Sequence, residues 1–238
     1  LDVVKQTSGL MDVIRILGTA DDTVIKGCDE DKTMFVEAKL KQPVPEFEGD
    51  FGLTNMGLLS GLLNFANYRS DDATFSVKKR MHNDKLTVEQ FEFRNAKTGN
   101  DSDFRMMNPD LIPDQATIPN IPWDVTFVAS KAKVSEFQQL AGLYSEVDKT
   151  FGIRTVDSNL QFFIGDANSS SHRVSMVFQE SVTGAMKGDI LWNTSQFLNF
   201  MKLAGNYPAT VKITSRGVLA VIVETAYGDY SYFMRANR

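Results

Sequence analysis

The sequence predicts an α+β chain of two similar halves joined by a proline-rich connector. Three observations predict it. Segments with helix and strand periods follow one order, helix then strands then helix then strands, and that order occurs twice. The stretch between them, residues 108–122, holds four prolines and neither period. Short local patterns also recur at corresponding places in the two halves.

In the first half, residues 8–17 are expected to form a helix. Leu10, Val13, Ile14 and Leu17 fall on one face at three- and four-residue spacing. Thr7 or Ser8 can cap its start and Gly18 can end it. Strands are expected at Thr23–Cys28 and Thr33–Leu40, joined by the acidic turn Asp29-Glu30-Asp31, and at Phe47–Leu53. A second helix near 55–67 turns Met56, Leu59, Leu62, Leu63 and Ala66 inward. Strands follow at Ala73–Lys79 and Leu86–Phe93. The second alternates at Leu86, Val88 and, after a slip, Phe91 and Phe93.

Proline fixes φ and removes a donor, so residues 108–122 are expected to be an extended, ordered connector. Residues 1–107 and 123–238 are then the two domains. In the second half, Asp124–Ala129 reads as a strand. A helix near 133–147 carries Val134, Phe137, Leu140, Ala141, Tyr144 and Val147 on one face. Strands follow at Leu160–Ile164, Arg173–Gln179 and Asp189–Trp192, then a helix at 194–204. Strands at Thr210–Thr214, Val218–Thr225 and Tyr230–Met234 complete the chain.

The halves also match locally. Gly49-Asp50 precedes the second helix of the first half and Gly188-Asp189 that of the second. Within those helices Leu59 pairs with Leu198 and Leu62 with Met201. Afterwards Ala73-Thr74-Phe75-Ser76-Val77 parallels Ala209-Thr210-Val211-Lys212-Ile213. The competing reading is two generic α+β domains with coincidental turns.

No arrangement of residues suits covalent chemistry, so the chain is not expected to be an enzyme. Cys28 is the only cysteine, which excludes a disulfide framework and fits a reducing compartment. His82 and His172 each lie in a polar stretch outside any ligand-spaced cluster. There is no phosphate-cradling Gly-x-x-x-x-Gly-Lys motif and no nucleophile elbow. Asp21/Asp22, Asp29/Asp31 and Asp71/Asp72 read as turn formers rather than acid/base pairs. No metal or cofactor is expected. No apolar run is long enough to span a membrane. The chain opens on Leu1 rather than Met, so a leading piece is expected to be missing from this sequence. The formal net charge of -5 argues against a protein that coats nucleic acid, though not against a local basic surface.

One ordered set of residues carries a resemblance. Pro113…Pro119-Asn120-Ile121-Pro122…Lys131-Ala132…Glu136-Phe137-Gln138-Gln139-Leu140 resembles the DNA polymerase sliding clamp of T4-like bacteriophages. Phe51-Gly52-Leu53…Gly57-Leu58-Leu59-Ser60-Gly61-Leu62-Leu63, followed by Asp71-Asp72-Ala73, is similar to it too. The correspondence runs through nearly the whole chain. It implies two DNA-clamp domains per chain, helices lining the inside of a homotrimeric ring and antiparallel sheets outside. The ring would encircle duplex DNA without reading its sequence and tether the phage DNA polymerase. A clamp loader would open it, and late-transcription factors would be further partners. The setting implied is the cytoplasm of the infected bacterial host, with no membrane partner.

The resemblance directs attention to three groups of residues. Phosphate contact would fall to Lys5, Arg15, Asn64, Asn67, Arg69, Lys131, Lys133, Lys149 and Lys202, on or beside the helices. From Lys131 to Lys149, however, three lysines are balanced by Glu136, Glu146 and Asp148, so the lining is only mildly positive. A partner peptide would enter an apolar pocket built from Leu111, Ile112, Ile118, Ile121, Tyr230, Tyr232 and Phe233. The trimer joint would use edge strands carrying Leu86, Val88, Phe91 and Phe93 in one domain and Val174, Met176 and Phe178 in the other. The bland counterparts are solvated charges, domain packing and internal hairpins. The alternative functions are a phage structural or assembly protein with duplicated α+β domains and no DNA role, and an enzyme such as a metal hydrolase with a scattered site.

Overall fold

The structure, a computed structural model, describes residues 2–113, 120–165 and 172–237. It forms two compact units, Leu1–Thr117 with Thr225–Tyr230, and Ile118–Glu224 with Ser231–Arg238.

Unit one opens with α1 (Asp2–Thr7), followed by β1 (Ile14–Gly18), β2 (Thr23–Cys28) and β3 (Met34–Leu40). The helix expected over 8–17 is not there. Gly9 takes a φ of +79°, which ends the helical path. Leu10 and Met11 are buried in the turn, and Ile14 and Ile16 then alternate inward as a strand, both fully buried. Helical spacing of four apolar residues was satisfied by a turn plus a strand rather than by one stripe. β2 alternates buried and half-buried residues along its whole length, as its sequence predicts.

A 3-10 turn at Pro45–Phe47 leads into β4 (Gly49–Leu53), which pairs antiparallel with β1. The sheet runs β4-β1-β2-β3. α2 (Met56–Asn64) is shorter than expected and gives way to a 3-10 turn at Ala66–Tyr68. Met56 and Leu59 are buried, Leu62 and Leu63 half-buried, and Ala66 exposed.

Three antiparallel strands follow in the order β5 (Ala73–His82), β6 (Lys85–Asn95), β7 (Asn100–Arg105). Lys78 pairs with Gln90 but Lys79 with Val88, so Glu89 is a bulged residue. That bulge is the slip seen in the alternation of β6. β7 escapes sequence reading because Asn-Asp-Ser-Asp-Phe-Arg contributes only Phe104 to the core. Between the sheets Phe47 stands edge-on to Phe51 at 5.8 Å and stacks on Phe91 at 5.7 Å.

Unit two comprises β8 (Val125–Val128), α3 (Lys131–Leu143), β9 (Thr150–Val156), β10 (Asn159–Ile164), β11 (Val174–Gln179) and β12 (Lys187–Asn193). α4 (Thr194–Ala204), β13 (Ala209–Thr214), β14 (Val218–Glu224) and β15 (Gly228–Arg235) complete it, the first residues of β15 counting with unit one. α3 begins and ends earlier than expected, so Tyr144 and Val147 lie in the turn beyond it. β9 was not expected, because Gly152 interrupts its apolar pattern. The ring of Phe163 lies over Gly152, filling the place of a side chain there.

The sheet β12-β9-β10-β11 repeats the order β4-β1-β2-β3, and β13-β14-β15 repeats β5-β6-β7. The helix caps refine the local match between halves. Asn55 and Asn193 hold the N-cap positions of α2 and α4. Four residues on, Leu59 and Phe197 are both buried, so Leu59 corresponds to Phe197 rather than to Leu198. The pairing read from the sequence was one residue out of register. Unit two's core is a cluster of rings. Phe162 stacks on Phe178 at 4.0 Å, and Phe137 meets Phe151, Phe162, Phe178 and Phe197 at 5.1 to 6.1 Å. Such pairs contribute about 0.5–1.5 kcal/mol each beyond area burial.

Candidate nucleic-acid interface

In unit two, α3 and α4 run beside a cleft of about 700 Å³. Its floor is apolar, with Val134, Leu198 and Met201, and its rim is polar. Lys131 and Lys202 both stand on that rim and are exposed. The α3 helix starts at Lys131 because Ser130 is extended before it. α4 starts where the Asn193 side chain accepts from the Gln196 amide at 3.1 Å, and stops at Gly205, whose φ is +56°. Beyond that stop, Asn206 turns back, and Lys131 Nζ donates to its Oδ1 at 3.1 Å. The hydrogen bond holds the ammonium while leaving its charge unneutralised. Ammonium groups on a polar rim with carboxamides (Asn199, Asn206, Gln138) suit anionic oxygens.

The other basic residues are placed differently. Lys133 is tied to Glu136 at 2.9 Å on its own helix, which cancels its charge locally. Lys149 is exposed beyond α3. In unit one, Lys5 is exposed on α1. Arg15 is not on a helix. It lies on β1, where its Nε donates to Asp50 on β4 at 2.8 Å, so it serves the sheet. Asn64 folds back to the Ser60 carbonyl at 2.8 Å, and the Asn67 carbonyl accepts from Asn95 at 2.6 Å. Arg69 is exposed after the Ala66–Tyr68 turn. α2 itself carries no charged side chain.

Three of the residues read as a peptide pocket, Ile112, Tyr230 and Tyr232, are buried. Tyr230 and Tyr232 are fully buried. The Tyr230 hydroxyl donates to Asp2 at 2.8 Å, and the Tyr232 ring stacks on Phe200 at 5.3 Å. Ile112 is buried in unit one against Gly52. Leu111 is exposed, while Ile121 and Phe233 are half-buried. Ile118 lies outside the described residues.

The proposed joint residues are also corrected. β6 has β5 on one side and β7 on the other, so it is not an edge strand. Val88, Phe91 and Phe93 are core residues, and Leu86 is exposed at the hairpin end. β11 is an edge strand, but Met176 and Phe178 point into the core, and only Val174 is half-buried. The strands with unpaired outer edges among the described residues include β7, β11 and β5. Sequence reading missed Asn206 and Asn199, although the break Gly205-Asn206-Tyr207-Pro208 after a helix is itself a signal.

Among the described residues no cluster of His, Cys, Asp or Glu could hold a metal ion, and no helix is long and apolar enough to cross a membrane.

This arrangement, two like α+β units of antiparallel sheets with two helices each, is the fold of the PCNA-type sliding clamps. PCNA from Thermococcus kodakaraensis superposes with a TM-score of 0.68 over 99% of this chain and 95% of its own, at 13% identity. A structure of the C-terminal region of FEN-1 bound to A. fulgidus PCNA gives a TM-score of 0.67 over 100% of this chain and 94% of that chain, at 12% identity. No protein-family profile and no curated protein sequence matches the chain.

Proposed function

We propose that the chain is a DNA sliding clamp that encircles duplex DNA, tethers a replicative polymerase and performs no chemistry itself. The observation that carries this reading is the clamp fold over the whole chain, with one strand order present twice. The rim lysines Lys131 and Lys202 support sequence-independent phosphate contact. The ordered likeness to T4-like phage clamps supports a phage polymerase and a clamp loader as partners, late-transcription factors as further ones, and the host cytoplasm as the setting. A partner of a neighbour supports peptide binding by analogy: the A. fulgidus protein holds the C-terminal region of FEN-1.

Ring closure needs a heterologous joint, one surface meeting a different one. The edges of β7 and β11 are suited to it, through main-chain pairing rather than through the buried side chains of β6 and β11. Three copies, each of 26.6 kDa, give the homotrimer.

The experiment loads the protein on a nicked circular duplex with a cognate loader and then linearises the DNA. A clamp stays on the circle in high salt and leaves once an end is cut. Sedimentation at micromolar protein should show a species of three times 26.6 kDa. A protein that stays on linear DNA, or never associates, is not a clamp. The uncharged α2 favours the second reading, an assembly protein without a DNA role, and that protein would form oligomers indifferent to DNA.

A further inference from the structure

Arg80 on β5 and Arg105 at the end of β7 line one small cavity of about 110 Å³ in unit one. Val88, Met106 and Met107 form its apolar wall, and Asn108 stands beside them. The cavity lies at the bulge of β6, and bulges re-aim side chains next to binding sites. Its walls are fixed by the main chain. Met106 N–H donates to the Glu89 carbonyl at 2.9 Å, and Met107 and Gly52 exchange two bonds at 2.8 and 3.1 Å. A pocket set before its ligand arrives binds at a lower ordering cost.

The cations of this sheet fall into two groups. Arg94 meets Asp101 and Asp103 at 2.7 Å each, Lys78 reaches Glu92 at 4.0 Å, and Lys79 donates to the Pro45 carbonyl at 2.9 Å. The guanidinium groups of Arg80 and Arg105 have neither an ion pair nor a hydrogen bond among the described residues, and both residues are exposed. Glu89 is the one carboxylate lining the cavity, so two guanidinium groups leave it net positive. Asn108 uses its Oδ1 to accept from the Asp110 amide at 3.1 Å, and its N–H groups are left for another acceptor.

We propose that this cavity receives one acidic side chain of a partner protein, an Asp or Glu beside an apolar residue in an extended segment. Each guanidinium offers a fork of donors that matches a carboxylate. The two methionines take the apolar neighbour, since unbranched thioethers adapt to many shapes. A duplex backbone would need cations along a stripe, and small-molecule sites of about 300–1,000 Å³ are several times larger. None of Leu111, Ile112, Ile121, Tyr230, Tyr232 and Phe233 lines the cavity, so it is separate from the peptide pocket expected from the sequence. Main-chain pairing along the β7 edge leaves Arg105 available, because strand side chains stand on the faces of a sheet.

Fluorescence anisotropy tests this with the full chain and two labelled, end-blocked peptides: Gly-Ser-Leu-Glu-Leu-Ser-Gly, and the same peptide with Gln for Glu. The acidic peptide should bind with a Kd below about 1 mM, and the Gln peptide at least about tenfold more weakly. Arg80→Gln with Arg105→Gln should weaken the acidic peptide at least about tenfold, and Arg105→Lys, which keeps the charge but loses the fork, about threefold or more. Lys32→Gln with Lys187→Gln, outside the cavity, should change it less than about twofold. Because neither guanidinium is bonded within the chain, the double arginine variant should keep the parent's thermal unfolding by circular dichroism. No binding at about 1 mM, equal binding of the Gln peptide, or an equal loss in the lysine control overturns the proposal. So does displacement of the peptide by an unlabelled duplex, which assigns the cavity to phosphate. A sedimenting mass that falls in the double arginine variant overturns it too, by assigning the cavity to a second copy.

Discussion

Replacing Lys131 and Lys202 with alanine removes two ammonium groups from the α3–α4 cleft, neither of them ion-paired among the described residues. Each phosphate contact contributes about 0.9 to the slope of log K against log salt for duplex DNA, so losing two per protomer should flatten that slope by about 1.8 for each protomer engaged. Lys133 serves as the internal control. Its ammonium already sits 2.9 Å from Glu136, so Lys133→Ala should change the slope by no more than about 0.3. The assay is fluorescence anisotropy of a short labelled duplex across a salt series. Circular dichroism confirms that both variants fold. If the double variant keeps the parent slope, or if Lys133→Ala flattens it equally, the cleft is not where phosphate is met.

Two further perturbations test the fold that carries the cleft. Phe137→Ala removes the ring at the centre of unit two's cluster, and urea denaturation should show a loss of about 3–5 kcal/mol. A loss below about 1 kcal/mol would show that the cluster repacks without it. The Asp124 carboxylate is held below its ordinary range, first by the Ser215 amide at 2.6 Å. Its contribution is therefore present above the ordinary carboxylate range and is lost as pH falls through the lowered value. Because the group is exposed, Asp124→Asn should cost only about 0.5–1 kcal/mol at neutral pH, and the gap to the parent should close as pH falls through the lowered value. A gap that persists at low pH would mean the side chain acts through packing instead.

The elements most legible in the sequence are those whose local signals agree. α4 has a capping Asn193, a buried face at Phe197, Phe200, Met201 and Ala204, and Gly205 at its end, and its bounds match the expected 194–204. β2 alternates without interruption and also matches. What was illegible depends on partners distant in sequence. β7 is a strand because β6 pairs with it, and β9 because Phe163 covers Gly152. The region 8–17 shows the limit of periodicity, since one spacing serves a helix face or a turn followed by a strand.

The site divides in the same way. That Lys202 stands on a helix was readable and Lys131 reads as flanking one, whereas their shared cleft depends on contacts such as Lys131 to Asn206, 75 residues apart. Arg15 looked like a free cation until β4 brought Asp50 against it from 35 residues away. Tyr230 and Tyr232 read as pocket walls by their position in the final strand, yet alternation along β15 sends both inward.

α2 has one more consequence. Its surface offers Gly57, Leu58, Gly61 and Asn64, with no charge to grip a charged polymer. For a ring that must travel along DNA, every phosphate contact is a brake, broken and remade at each step. A helix of this kind contributes no drag. In the proposed ring a single lysine introduced at Gly57 or Gly61 should therefore slow diffusion along the duplex more readily than it strengthens retention.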